Sequence, residues 1–489
     1  MSYKQQALQG VAWNTIAKIA ASLLSVVQLA VVARFIEQSD FGLMSLVHVT
    51  LGIVTMFSDL GMYAAMMHKQ DTTEDQYNSI YWMNWALNIF LFLVLCGVSW
   101  PVAKFYKDMR LVGLTILTGV GILLQPFGKI FYTIKQKNLE FGFISMVSIA
   151  MTTLTFGLTV IMCVLGYGIY SLIVPSLISQ AVNAVIFSVA GRRQFRVRFH
   201  FNYAEIKDYF KIGLYDTGAQ LMDYLSYKVD VLLVGKFFGM EGLGLCNMGK
   251  EMALKTMKLI GPIINAVATP ILSKLQKDVE AIKTNYLRIL NVISFINFPI
   301  LLALFIFADP VVRLFLSSKY MGAATFLKIL CFWGIFASIG NPAGNLVVAK
   351  GRTDLSFRWT VVRFCCAPLA VFAASFFSIN AVAYSQVILQ GIFFFIYWRI
   401  LIYPLSDIKL GEYVGSLSRA LLCSIIAMVP ALLWHYVGLQ YSGWFSRNPW
   451  IDLVGGCAVY GVTYLLATWF FNKGIIEFVY SLLPRQRKE

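Results

Sequence analysis

The chain has 489 residues, of which 58% are hydrophobic and only 13% charged, and it carries a formal net charge of +16. Soluble globular domains carry about 25% charged residues, so this composition excludes an ordinary water-soluble enzyme or binding module. The cation surplus does not mark a nucleic-acid binder, because its distribution along the chain follows the pattern of a membrane protein.

Apolar runs of bilayer-spanning length, about 20 residues, recur from end to end. Barrel strands are about 10 residues long and alternate in polarity, so the runs are read as helices. The first, 9–33, is interrupted by Lys18 and is too long for a cleaved signal peptide, so it is kept as a span. It presents Asn14, Lys18, Ser25 and Gln28 on one face. The second, 42–67, carries Ser45, His48, Thr55 and Asp59. Four apolar spans follow at 79–103, 111–134, 144–165 and 168–190. A basic connection at 191–207 then carries Arg192, Arg193, Arg196, Arg198 and Lys207.

The seventh span, 211–235, places Asp216, Gln220, Asp223, Tyr227 and Asp230 on one stripe that drifts only about 20° per heptad. The eighth, 245–272, answers with Asn247, Glu251, Lys255 and Lys258 on one side and Lys250 beside them. Spans at 286–308, 322–349, 360–378 and 380–402 follow, with Arg363 on the third of these. The last two, 413–437 and 450–472, have His435 as their strongly polar candidate, expected near an interface. The fold class is therefore an all-α polytopic membrane protein of about fourteen transmembrane helices. With the N-terminus inside, roughly 21 Lys and Arg fall on the cytoplasmic side and roughly 8 on the far side. The excess charge thus orients the chain and meets anionic lipid headgroups.

An offset of 202 positions brings ARFIEQSDFGL (33–43) onto GKFFGMEGLGL (235–245), matching Arg34 to Lys236, Phe35 to Phe237 and Gly42 to Gly244. The same offset sets Asn14, Lys18, Ser25 and Gln28 on Asp216, Gln220, Tyr227 and Asp230. Both sets follow i, i+4, i+11, i+14, one face of a helix. A shift by six helices preserves orientation, which describes a parallel repeat about an axis along the membrane normal, an arrangement found in transporters. The expected organisation is a first six-helix lobe at 1–195, a second at 196–405, and two extra helices with a basic tail at 406–489.

An acid at a helix centre costs roughly 2.5–3.5 kcal/mol on insertion scales, so three lipid-facing acids on one span would cost on the order of 8–10 kcal/mol. The stripe must face protein or water. Two readings stay open: acids and bases pair to knit helices together, or the stripes wall a hydrated, cationic cavity. The cavity reading assigns substrate binding to Asn14, Lys18, Gln28, His48, Asp59, Gln220, Tyr227, Lys250, Lys255, Lys258 and Arg363. It assigns cavity organisation or ion coupling to Asp216, Asp223, Asp230 and Glu251. No catalytic constellation, metal set or cofactor motif emerges. GLCNMGKE (244–251) lacks the Ser or Thr of a phosphate-binding loop, since Glu251 stands there, and it opens an apolar span. The eight cysteines show no disulfide or metal spacing and are read as packing residues.

The chain resembles the Wzx-type polysaccharide flippases of the multidrug/oligosaccharidyl-lipid/polysaccharide exporter superfamily, most of all the colanic-acid exporter branch. The resemblance runs through GVAWNTIAK (10–18), DFGLMSL (40–46), SDLGM (58–62), IYWMNW (80–85) and KQKNLEF (135–141). It continues in LYDTGAQLMDYLSYKVD (214–230), INFP (296–299) and GNPAGNLVVAKGRTDLSFRW (340–359). It implies two six-helix lobes in a V around a central cavity, plus two further helices. It also implies alternating access that flips undecaprenyl-diphosphate-linked oligosaccharide repeat units across the bacterial inner membrane, for exopolysaccharide, capsule or O-antigen synthesis. The partners then expected are the lipid-linked substrate, membrane lipids, and a polymerase and co-polymerase of the same pathway, with a monomeric chain and cytoplasmic termini. The alternative is a small-molecule or drug exporter of the same superfamily. A membrane glycosyltransferase, polymerase or ligase is disfavoured, because such enzymes usually need a sizeable extracytoplasmic loop.

Overall fold

The computed structural model of the chain describes residues 3–68, 72–441 and 448–475. Side chains are described at all of these except 3–12, 14–16, 64–65, 68, 208–216, 256, 258–260, 262–267, 269–270, 341 and 438–441. Among the described residues there is no strand. The first half forms α1 (Tyr3–Phe35), α2 (Gln38–Thr55), α3 (Met62–His68), α4 (Glu74–Tyr106), α5 (Arg110–Lys137), α6 (Phe141–Val164) and α7 (Tyr170–Gly191). A run from Tyr203 to Lys274, α8, and then α9 (Val279–Ile306) and the short α10 (Ala308–Val311) follow. Next come α11 (Gly322–Lys350), α12 (Thr353–Ser375), α13 (Ile379–Tyr397), the short α14 (Tyr403–Ser406), α15 (Leu410–Tyr441) and α16 (Pro449–Phe471). Eleven helices among the described residues are long and apolar enough to cross a bilayer. The chain is an all-α, multi-pass membrane protein, as its hydropathy pattern requires.

Local signals set the helix ends. Thr73 and Gln76 form a reciprocal capping box that starts α4, with bonds of 3.3 and 3.2 Å. Asp278 accepts from the Ala281 amide at 2.9 Å to open α9, and Ser378 does the same for Ala381 at 3.1 Å to open α13. Gly351, at φ 66°, ends α11 in the left-handed region that glycine tolerates without a Cβ penalty.

Two expected spans differ in form from the continuous helices read at 42–67 and at 211–235 followed by 245–272. The second span breaks after Thr55 and restarts at Met62, with Leu60 and Gly61 at positive φ. A broken helix in an apolar medium must have its freed carbonyls satisfied from elsewhere. Here Asn84 and Asn88 of α4 both donate to the Ser58 carbonyl, at 2.7 and 2.8 Å. In α8 a single residue, Gly239 at φ 76° and ψ 179°, interrupts the run and divides it into helices 203–238 and 240–274.

The chain groups into two compact units: Met1–Asn247 with Arg363–Phe376, and Met248–Val362 with Phe377–Glu489. In the first, a cluster of Met62, Tyr63, Ile80, Ile130, Phe131 and Phe187 buries the α3 end against α4, α5 and α7. Small residues allow close helix approach: a Cβ added at Gly128 would lie 2.9 Å from the Ala184 Cα. The basic connection after α7 is pinned to α4. Asn78 Oδ1 accepts from the Arg198 amide at 2.7 Å, and Trp82 Nε1 donates to the Arg198 carbonyl at 2.9 Å. This leaves Arg192, Arg193, Arg196 and Arg198 exposed.

In the second unit α9 packs with α11 and α15, and α15 packs with α16. Tyr464 of α16 donates to the Phe295 carbonyl at 2.7 Å. His435, expected near an interface, meets Asp452 of α16 at 2.8 Å, and that carboxylate is only 4% exposed. Asp452 went unnoticed in the sequence because one acid at the head of an apolar run reads as a flanking charge. Removing one partner of a buried pair costs about 3–5 kcal/mol, since the other charge is left uncompensated. His435→Leu is therefore expected to lower the thermal stability and membrane abundance of the protein more than Asp452→Asn does. Equal stability of the two variants in a detergent melting assay would show that the pair is not structural. All eight cysteines are free. Cys163, Cys246, Cys331 and Cys423 are buried as packing residues should be, but Cys365, Cys366 and Cys457 are exposed on apolar helices, which corrects the packing assignment for those three.

Candidate functional site

The polar residues of the first unit fall into three groups. The first lies where α2 crosses the bend of α8. A Cβ at Gly42 would lie 1.9 Å from the Met240 carbonyl oxygen, and one at Gly244 would lie 2.0 Å from the Gln38 carbonyl oxygen. Beside them Asn247 Nδ2 donates to Ser45 Oγ at 2.8 Å. The positions that make this contact, 38, 42 and 45 on one segment and 240, 244 and 247 on the other, correspond one to one under the 202-position offset. Two equivalent segments that touch each other through the same residues make a self-complementary contact, as about a two-fold axis. Nearby, Lys236 Nζ donates to the Phe105 carbonyl at 2.7 Å, and Tyr106 Oη donates to the Leu232 carbonyl at 3.0 Å.

The second group follows the acidic stripe of helix 203–238. Asp223 forms a salt bridge with Arg363 of α12, and the guanidinium Nε of that arginine is buried with no hydrogen-bond partner among the described residues. Asp230 is buried, Tyr227 is half-buried beneath the Lys228 ammonium at 5.4 Å from its ring centroid, and Gln220 is exposed. Tyr224, on the flank of the stripe, donates to the carbonyl of the exposed His48 at 3.2 Å. Asp59 sits at the α2–α3 break, where its carboxylate accepts from the Gly61 amide at 3.0 Å, so in this conformation it caps the turn.

The third group is a cavity of about 530 Å³ among α1, α5, α6 and α7, which takes in Lys18 and Gln28. Sequence reasoning missed most of its lining. Ser145, Ser148, Thr152 and Thr155 line it from α6 and, with the buried Thr159 that accepts from Gln28 Nε2 at 3.3 Å, recur at spacings of three and four, the signature of one helical face. That signal was present in the sequence, but hydroxyl residues barely lower the hydropathy of a span and carry no charge.

In the second unit, Lys250 is 4% exposed, with its ammonium 5.6 Å from the ring centroid of Trp333 on α11. Gly249 makes this approach possible, since a Cβ there would lie 2.8 Å from that of Phe326. Glu251 and Lys255 follow on helix 240–274 and are half-buried. Of the remaining expected site residues, the side chains of Asn14, Asp216 and Lys258 lie outside the described residues. Among the described residues no group of His, Cys, Asp and Glu is arranged to hold a metal ion.

This arrangement of spans is a backbone fold shared with solved membrane transporters. It matches the solved structure of the lipid II flippase MurJ, in an inward closed conformation, with a TM-score of 0.76 and 14% identity over 94% of this chain and 99% of that one. A family model described as polysaccharide biosynthesis protein matches residues 31–325. The chain belongs to that polysaccharide biosynthesis protein family. The teichuronic acid biosynthesis protein TuaB of Bacillus subtilis is 27% identical over 90% of this chain and 92% of its own length. The lipopolysaccharide biosynthesis protein WzxC of Escherichia coli is also 27% identical, over 85% of each chain. A further relative, the succinoglycan biosynthesis transport protein ExoT of Rhizobium meliloti, is 19% identical over 96% of this chain and 94% of its own length.

Proposed function

We propose that this protein flips undecaprenyl-diphosphate-linked oligosaccharide repeat units across the bacterial inner membrane by alternating access. The observation that supports this best is the flippase fold, carried along nearly the whole chain by a member of a polysaccharide biosynthesis family. Cations held within apolar helices fit an anionic cargo, because Lys250 and Lys255 would meet a diphosphate in a medium where charge is poorly screened. On this reading the chain works as a monomer with both termini cytoplasmic, beside a polymerase and co-polymerase that use the delivered repeat units. Deletion is expected to make undecaprenyl-linked repeats accumulate on the cytoplasmic face. Normal polymer without accumulated intermediate would sink the proposal, and drug sensitivity with polymer intact would favour the exporter reading.

The lysines allow a finer test. Lys18→Ala, Lys255→Ala and Lys258→Ala are each expected to reduce polymer export by about tenfold, corresponding to one charge-assisted contact of about 1.4 kcal/mol. Protein levels in the membrane should not change. Export at the parental rate in all three would remove these residues from the transport path.

A further inference from the structure

The cavity inside the first unit has a chemistry that differs from the cationic stripes. Among the described residues its lining includes no Asp or Glu, and Lys18 is its only charged side chain. Membrane sites for a divalent cation or a coupling proton are usually built on carboxylates, and the described lining has none. What the cavity offers is hydroxyls and amides. Thr152 and Thr155 already donate their hydroxyl hydrogens to the Ser148 and Met151 carbonyls, at 2.8 and 2.9 Å. Their oxygens are thereby left as acceptors toward the cavity. Gln180 and Asn183, one turn apart on α7, have no hydrogen-bond partner among the described residues, so each presents both a carbonyl acceptor and an NH2 donor. Gly121 of α5 makes room for the first, since a Cβ there would lie 2.7 Å from Gln180 Oε1. At one side Tyr132 and Phe187 meet edge to face with centroids 5.3 Å apart.

Resting on the flippase reading above, we infer that this cavity is a carbohydrate subsite that seats sugar rings of the cargo. Sugar hydroxyls both donate and accept, which suits neighbouring amides better than any single ion does. The apolar face of a pyranose suits the Tyr132–Phe187 corner. Lys18 would meet an acidic substituent such as a carboxylate. The volume falls within the range of about 300–1,000 Å³ typical of ligand pockets. Unpartnered amides in an apolar span are costly, so in the empty protein water must serve them. A sugar replaces those waters with hydrogen bonds of similar quality.

The test uses the full chain in lipid nanodiscs with Ser148→Cys as a reporter. Its alkylation by a maleimide is followed at that cysteine by mass spectrometry, which separates it from the native thiols. The probes are the oligosaccharide released from the host's own lipid-linked repeat, and undecaprenyl diphosphate without sugar. The oligosaccharide is expected to slow labelling by about tenfold at saturation. Adding Gln180→Leu and Asn183→Leu should raise the concentration needed by about tenfold or more, for two lost hydrogen-bonding groups. No protection by the oligosaccharide, protection by undecaprenyl diphosphate alone, or equal protection in the triple variant would each overturn the subsite. Reconstituted flipping of the intact lipid-linked repeat is measured in parallel. Flipping without oligosaccharide protection overturns the subsite and leaves the flippase reading standing. Oligosaccharide protection without flipping supports the subsite and overturns the flippase reading.

Discussion

Gly42→Val and Gly244→Val are each expected to reduce polymer export to below about a tenth of the parental level while the protein stays in the membrane. The added Cβ at either position would fall about 2 Å from a backbone carbonyl oxygen of the other segment. A carbonyl on a hydrogen-bonded helix cannot rotate away as a flexible side chain would. Overpacking of this kind costs about 1–3 kcal/mol and sometimes more. Here the cost falls on one contact, that of α2 with the bend of α8, and leaves the cluster of α3, α4, α5 and α7 intact. On the expected topology this contact lies at the extracytoplasmic end, where the alternating access proposed above would need a closure that forms and breaks. A variant that cannot form it should bind cargo and fail to cycle. Gly113→Ala and Gly157→Ala are the controls, because a Cβ at either position meets nothing within 4 Å. Export by Gly42→Val equal to that of the controls would show that the contact has no part in transport.

That contact also shows how far the sequence could be read. The 202-residue offset was visible as a match of glycines and flanking cations, and hydropathy located most helices, although α8, α9 and α12 begin seven or eight residues before the spans read from 211, 286 and 360. Hydropathy could not show that the 42–67 run breaks at Ser58. The break is stabilised from another helix, by Asn84 and Asn88, and nothing local to 42–67 encodes those donors. The hydroxyl face of α6 was legible in principle, but a search led by charge passes over Ser and Thr. Asp452 escaped because its partner, His435, lies 17 residues away on another helix. Charged stripes announce themselves in an apolar chain because charge is expensive there. Neutral polar surfaces and backbone breaks do not, since their cost is met within the folded protein.

Reversing the charges of Asp223 and Arg363 together should restore much of the export that either single change removes. The sequence left two roles for the acidic stripe, and this pair separates them. Asp223 and Arg363 form a salt bridge while their side chains remain 52% and 26% exposed, so the pair is partly hydrated and its desolvation cost is moderate. Breaking it leaves a charge in a medium with few other partners. Asp223→Ala and Arg363→Ala are each expected to lower export by about tenfold, the effect of about 1.4 kcal/mol. Losses that arise from mutual dependence are not additive, so Asp223→Ala/Arg363→Ala should be no worse than the worse single variant. The swap Asp223→Arg/Arg363→Asp restores the attraction with the charges exchanged. If the pair serves to hold helix 203–238 against α12, the swap should recover function, because the geometry needs only opposite charges. If Arg363 instead binds the diphosphate directly, the swap places a carboxylate where the cargo needs a cation, and export stays low although the protein is stable. Export in the swapped variant, read beside its thermal stability, therefore separates the helix-knitting role from the cargo-binding role.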